Sequence, residues 1–274
     1  MKRRLSGFAS SLRWRLKSSS IRERYWAVAH RERLDYLRQE VHFYRALLVG
    51  LNPGNLVFDV GANNGDKTDV FLRLGARVLA VEPDEACSKT LRERFQKYRI
   101  FPRPVSIDSR AISDRVATEE MLIDGPASAV NTMSRKWADD LKKNRATFPH
   151  GHCGLEFRQT KLVQTTTLKE LITANGSPFF VKIDVEGHEL SVLRGLDRPV
   201  PYLSFEVNLP EFRPEGVECV GLLRKLLPTG RFNFAFECAR GFALEGWVSA
   251  DELTLALEKC DQRSIEVFWK TYRL

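Results

Sequence analysis

From residue 56 onward the chain alternates between short, nearly unbroken apolar runs and segments with helical spacing. A strand buried on both faces reads as such a run, and strands of that kind belong to parallel sheets covered by helices. Leu56-Val57-Phe58-Asp59-Val60 is the first run. Further strands are predicted over 77–81, 105–112, 179–183 and 202–207, with helices over 67–74, 84–98, 167–174, 189–196, 217–227 and 250–259. Strands over 232–237 and 265–270 are expected to add an antiparallel edge, and 115–160 reads as irregular and polar, holding a strand and a mobile loop. The pattern predicts an α/β fold with a mostly parallel sheet and helices on both faces.

What precedes residue 50 differs in kind. Residues 1–50 carry 12 Lys/Arg against four Asp/Glu, and the remaining chain carries 31 of each. The whole excess of +8 therefore lies at the N-terminus, which argues against a nucleic-acid-binding core. Residues 1–24 read as a basic tail with Leu5, Phe8, Leu12 and Leu16 on one helical face, a segment that can lie on an anionic membrane surface. Its Arg/Ser-rich character also resembles a mitochondrial presequence. Residues 25–49 read as a helical lead-in striped by Tyr25, Trp26, Leu34, Leu37, Val41, Tyr44 and Leu48. No apolar run is long enough to span a bilayer. The five cysteines form no C-x-x-C pair, which fits a reducing, cytoplasmic setting.

The first strand runs into Asp59-Val60-Gly61-Ala62-Asn63-Asn64-Gly65-Asp66 and then a helix, the place where open α/β sheets bind ligands. Glycines there let backbone approach a ligand. Glu82 closes the second strand, where a carboxylate can accept both hydroxyls of a ribose diol. A nicotinamide dinucleotide would require glycine at 63 and 66, where the chain has Asn63 and Asp66. Acids at 59 and 66 also repel a pyrophosphate. They suit a cationic ligand such as S-adenosylmethionine, with Glu82 on its adenosine and Asp59 on its methionine side.

At these residues the chain resembles the FkbM-type methyltransferases. Val57 to Gly65 looks like their opening motif; Ala80-Val81-Glu82-Pro83-Asp84 and Arg110-Ala111-Ile112-Ser113-Asp114 are similar to the second and third. Val181-Lys182-Ile183-Asp184-Val185-Glu186-Gly187-His188-Glu189, followed by Val192-Leu193-Arg194-Gly195, is the most distinctive. The resemblance covers roughly 50–210 and implies a class I methyltransferase, Rossmann-like, with a seven-stranded sheet over 50–274. It implies S-adenosylmethionine as cofactor, held by Asp59, Gly61, Ala62, Asn63, Gly65, Glu82 and Ala111. Members typically methylate hydroxyls of sugars or specialised metabolites, so a small-molecule hydroxyl acceptor is expected and nucleic acid is not.

Asp184, Glu186 and His188 follow the 179–183 strand, and Glu206 sits near the end of the next. Neighbouring strands lie ~4.8 Å apart, so these groups can meet at the sheet's carboxyl edge. Asp184 is the first candidate base for a hydroxyl acceptor and His188 the second. Glu186 can instead orient Lys182 or the loop backbone, or cap the following helix together with Asp184. A divalent metal on Asp184, Glu206 and His188 is an alternative. His150-Gly151-His152-Cys153 has ligand types without companion ligands, and reads as a loop. Trp137 and the 128–134 stretch can line a polyol pocket or only pack a loop, and Cys87 reads as a small core residue. Two other functions share these motifs. One is N-methylation. The other is a cofactor-binding protein whose basic tail binds membrane or nucleic acid without turnover.

Overall fold

The structure is a computed structural model that describes residues 31–96, 104–143 and 157–271. The basic tail and the His150–Cys153 motif lie outside the described residues. Ten strands occur among the described residues: β1 (Leu56–Val60), β2 (Arg77–Val81), β3 (Val105–Asp108), β4 (Ala111–Ile112), β5 (Thr118–Ile123), β6 (Gln159–Thr166), β7 (Phe180–Ile183), β8 (Tyr202–Asn208), β9 (Arg231–Ala235) and β10 (Ser264–Lys270). Eight α-helices accompany them: α1 (Arg31–Leu47), α2 (Asp66–Arg73), α3 (Glu85–Arg94), α4 (Arg135–Lys143), α5 (Leu168–Asn175), α6 (Glu189–Arg194), α7 (Arg213–Leu226) and α8 (Ala250–Lys259).

The central sheet has seven strands in the order β3-β2-β1-β7-β8-β10-β9. All neighbours pair in parallel except β10, which is antiparallel to both β8 and β9. The expected antiparallel edge is thus one reversed strand inserted beside the edge, and β9 itself is outermost. The order reverses at β1, which has β2 on one side and the much later β7 on the other, and this opens a crevice beyond its carboxyl end. Among the described residues no helix is long and apolar enough to cross a membrane.

Alternation along each strand sorts side chains to two faces. Leu56, Phe58 and Val60 of β1, Val181 and Ile183 of β7 and Leu203, Phe205 and Val207 of β8 join the larger apolar core, under α4 to α8. Val57, Val78 and Phe180 point the other way, into a core shared with α1 and α2 that contains Phe43, Tyr44 and Phe71. Tyr44, Phe71 and Phe180 meet there edge to face or tilted, with centroids 5.2–5.9 Å apart. The lead-in helix is therefore part of the domain's own core.

Two expectations change. The strand over 105–112 breaks after Asp108, whose carboxylate accepts from Arg110 N at 2.9 Å in a tight turn. Ala111 and Ile112 then leave the main sheet to pair with β6, which is itself antiparallel to β5. The stretch over 115–160 also holds helix α4, anchored by buried Trp137, Ala138 and Leu141.

Candidate active site

The loops that follow β1, β2, β4 and β7 surround a cleft of about 840 Å³ counted to its open mouth, a size that suits a cofactor. Gly61, Asn63, Glu82, Cys87, Ala111, Asp184, Glu186 and His188 line it. Of the residues expected to bind or react, Asp59, Ala62, Gly65 and Glu206 do not line this cleft.

The glycines of the β1 loop meet the segments packed against it. A Cβ on Gly61, which has φ +79°, would lie 1.7 Å from the Asp184 carbonyl oxygen. One on Gly65, with φ +83°, would meet Phe95 at 2.5 Å and Leu91 at 2.7 Å. These glycines fit the loop against the β7 loop and α3, and Gly61 also lines the cleft. Asn63 adopts the left-handed conformation, φ 46°, one of the few non-glycine residues that does so readily.

Glu82 forms the wall at one end of the cleft. Its Oε2 accepts from Asn63 N and its Oε1 from Asp84 N, both at 2.8 Å. Burial outweighs these bonds and pushes its carboxyl up to about 7. Asp84 caps α3 by accepting from Ala86 N and Cys87 N at 2.8 and 2.9 Å. Its other oxygen accepts from Asn131 Nδ2 at 3.0 Å, which draws the loop before α4 over the cleft. Ser128, Ala129, Asn131, Thr132 and Met133 line that side, whereas Trp137 is buried in the core against Phe212, with centroids 5.7 Å apart. Cys87 is buried as expected and also faces the cleft, its thiol pushed up to about 12 by burial.

Asp59 lies beneath the loop. Its Oδ2 accepts from Thr68 Oγ1 at 2.6 Å, and its buried Oδ1 has no hydrogen-bond partner among the described residues. Burial raises its carboxyl and Lys182, its cross-strand partner, opposes the shift. Asp59 thus stands buried behind the cleft lining and not on it.

At the other end one carboxylate oxygen each from Asp184, Glu186 and Glu206 lies within 4.8 Å of the others. Lys182 Nζ donates to Asp184 Oδ2 at 2.7 Å. Burial works to raise Asp184, but the buried ammonium prevails and its carboxyl falls below the ordinary range. Burial raises Glu186 well above its ordinary value, helped by the charges of Glu206 and Asp184. Burial and the charge of Asp184 push Glu206 up to about 8, although Ser264 Oγ donates to it at 2.7 Å. Within the cluster Asp184 is thus the carboxyl held toward its ionised form by Lys182, while burial favours the protonated form of its two neighbours.

His188 stands apart from this trio, its Nε2 3.2 Å from Ser113 Oγ, and burial lowers it to about 4, so it is neutral. The alternative set of Asp184, Glu206 and His188 for a divalent metal is thus not brought together, and the groups within reach of one another are Asp184, Glu186 and Glu206. Neither Asp184 nor Glu186 caps α6, whose N-cap is His188 without a side-chain cap bond. Holding the loop falls instead to Glu189, whose Oε1 accepts from Val185 N at 3.0 Å and Gly187 N at 3.3 Å. Glu186 itself has φ 54° and its carbonyl accepts from Thr132 Oγ1 at 2.7 Å. Ser113 and Glu189 were not singled out in the sequence as site residues, whereas Asn131 belongs to the 128–134 stretch that was. Glu189 sits inside the distinctive motif, which is the signal that could have found it.

The Methyltransferase FkbM domain matches residues 59–263. The chain belongs to the FkbM methyltransferase family. The chain is similar to the methyltransferase FkbM of Methylobacillus flagellatus KT, with 14% identity and a TM-score of 0.49, over 81% of this chain and 45% of that one. It is also similar to a TehB-like SAM-dependent methyltransferase of Corynebacterium glutamicum, at 8% identity and a TM-score of 0.43, over 92% and 96% of the two chains. Ribosomal RNA small subunit methyltransferase A of Thermotoga petrophila is 46% identical over 50 residues, 18% of this chain and 19% of that relative. The chain spans less than half of the FkbM structure and about a fifth of the ribosomal RNA methyltransferase.

S-adenosylmethionine, the methyl donor that the motifs imply, fits the cleft of this FkbM-family chain. Glu82 is buried, pinned by two backbone amides, and keeps lone pairs for a ribose diol. The opposite end carries the Asp184 charge, which complements a sulfonium. The glycines that close the β1 loop leave Gly61 and Asn63 on the cleft wall between these ends.

Proposed function

We propose that this protein transfers a methyl group from S-adenosylmethionine to a hydroxyl of a sugar or another polyhydroxylated small molecule. The observation that carries this reading is that Glu82 and Asp184 line one cleft from opposite sides of β1, beyond the carboxyl ends of β2 and β7. Bound S-adenosylmethionine supplies an electrophilic methyl on a sulfonium. The residues of the chain must then hold the acceptor oxygen in line with it, and such positioning can supply ~7–11 kcal/mol.

Asp184, ionised and fixed by Lys182, accepts the hydrogen bond of the acceptor hydroxyl and takes its proton as the bond to carbon forms. The ammonium beside it makes it a weaker base than a free carboxylate and a better-oriented one. Neutral His188 is the second group on the cleft able to accept a proton. Burial favours the protonated forms of Glu186 and Glu206, in which Glu186, on the cleft wall, can donate to the acceptor and Glu206 can support Asp184 from behind. The Asp184 charge at this end disfavours phosphorylated or carboxylated acceptors and favours neutral polyols.

Calorimetry with S-adenosylmethionine, S-adenosylhomocysteine and NAD tests the cofactor. Binding of the first two and not the third is expected; NAD binding without S-adenosylmethionine binding would overturn the reading. Transfer of labelled methyl to a panel of sugars, polyols and amines then tests the acceptor class, and label found only on amines would replace O- by N-methylation.

A further inference from the structure

We propose that helix α1, which precedes the matched family domain, is part of the apparatus that presents Asp184. In this proposal Glu40 and Tyr44 are positioning residues that act through Lys67 and Glu266 on the Lys182–Asp184 pair. Describing Asp184 as the acceptor's partner rests on the function proposed above.

The argument starts from strand register. Asp59 lies opposite Lys182, and Lys182 opposite Ser204, so three polar side chains form a row across the α1/α2 face of β1, β7 and β8. Glu266 of β10 extends the row, its Oε1 accepting from Ser204 Oγ at 2.7 Å. All four side chains face helices, and Asp59, Lys182 and Ser204 are buried. A buried ionic row requires partners from the covering layer, and α1 and α2 supply them. Tyr44 of α1, fully buried, donates to Glu266 Oε1 at 3.1 Å, and Cys238 Sγ donates to Glu266 Oε2 at 3.0 Å. Glu40 of α1, buried, pairs with Lys67 in the first turn of α2.

Within this cluster two ammonium groups, Lys67 and Lys182, serve four carboxyls: Glu40, Asp59, Asp184 and Glu266. Lys67 stabilises the ionised forms of Asp59 and Asp184 as well as pairing with Glu40. Lys182 feels Asp184, Glu266 and Asp59 together. The other groups facing Asp184 are Glu206 of β8, Glu186 of its own loop and Glu189 of α6. Because the cations are shared, whatever α1 takes or gives changes what is left for Asp184.

This sharing predicts opposite signs for two substitutions on one helix. Glu40→Gln frees Lys67 to serve the inner carboxylates, so Asp184 ionises more readily. Tyr44→Phe removes a donor from Glu266, which then draws more on Lys67 and Lys182, so Asp184 ionises less readily. A helix that only packs against the sheet would give no such antisymmetry.

The test is a carboxyl-carbon NMR titration of the full chain with labelled aspartate, the Asp184 signal being assigned from Asp184→Asn. The Asp184 midpoint should fall by about 0.5 pH unit in Glu40→Gln and rise by about as much in Tyr44→Phe. It should stay near the native value in Glu40→Asp, and in Arg38→Gln, which alters only the exposed Arg38–Asp35 pair. Unchanged midpoints in folded Glu40→Gln and Tyr44→Phe overturn the proposal. If Glu40→Gln does not fold, the double variant Glu40→Gln/Lys67→Met removes both partners; its Asp184 midpoint should rise, and an unmoved one overturns the proposal equally. Calorimetry on the native sample keeps the two readings separate. Failure to bind S-adenosylmethionine would sink the proposed function, while the titration alone decides the coupling.

Discussion

The two faces of the central sheet solve the same covering problem by different means. On the face under α4 to α8, the inward residues of β1, β7 and β8 are Phe58, Val60, Val181, Ile183, Leu203, Phe205 and Val207, without a charge among them. On the face under α1 and α2, the same strands place Asp59, Lys182 and Ser204 at one level. Apolar packing is tolerant of exact placement, whereas a buried charge forces its partners into place or costs several kcal/mol. The apolar face therefore supplies stability, and the polar face fixes the side chains that end at Asp184.

Removing Lys182 should break this difference most visibly. Lys182→Met leaves Asp59, Asp184 and Glu266 without their shared cation and should cost ~3–5 kcal/mol of folding stability near neutral pH. The cost should shrink as pH falls, because protonation neutralises the carboxyls left behind. Phe205→Ala on the opposite face should cost a similar ~3–5 kcal/mol through the cavity it opens, with no such pH dependence. Urea denaturation of both variants at pH 5 and pH 8 compares them directly; parallel pH behaviour would mean that the faces do not differ electrostatically.

The cofactor end of the cleft sharpens the comparison, since its acid is held by backbone rather than by charge. Glu82→Ala should weaken S-adenosylmethionine binding by ~1.5–3 kcal/mol, roughly 10- to 150-fold, with little change in fold. Asp184→Asn should leave cofactor affinity within a few-fold and lower methyl transfer by ~10²–10⁴. Calorimetry and single-turnover transfer measured together separate the two ends. A variant that lost both activities equally would show the ends to be one unit.

These contrasts track what the sequence made legible. Runs such as Leu56–Val60 mark buried strands whatever covers them, so strand positions and the crevice beyond β1 follow from local pattern. Glu82 is also legible, because its backbone partners, Asn63 N and Asp84 N, belong to the two loops that the motifs mark. The carboxylate cluster is legible only in part. That Asp184 and Glu206 meet follows from adjacent parallel strands, but that Lys182 ties down Asp184 while Glu186 displaces His188 depends on the left-handed turn at Glu186 and Gly187. Nor could spacing reveal that Gly61 answers to the Asp184 carbonyl, a contact between distant loops. The row from Asp59 to Glu266 was hidden because its covering partners are spread over α1, α2 and Cys238, and α1 and Cys238 lie outside every recognised motif.

The smallest effect concerns protons stored on the buried carboxyls at both ends of the cleft. Glu206 titrates near 8, and Glu189 and Glu82 near 7, each raised first by burial from an ordinary value of 4.5. A carboxyl whose folded value lies above its unfolded one holds its proton more tightly in the native state. Its contribution to stability is complete below the unfolded value and is lost as pH rises through the folded one. His188 acts in the opposite sense: lowered from 6.5 to about 4, it favours the native state above 6.5 and loses that contribution as pH falls. Below about 6.5 the two trends partly cancel, and between about 6.5 and 8 only the carboxyls act. The ligand-free protein should therefore lose stability steadily across that window as pH rises. Glu206→Gln, which keeps the shape and cannot ionise, should flatten the upper part of the slope, while Glu82→Gln should flatten the part near 7. Denaturation midpoints at half-unit steps measure both slopes. A Glu206→Gln profile that overlays the native one would show that Glu206 is already ionised at neutral pH, and would move the proton at the acceptor end to Glu186 alone.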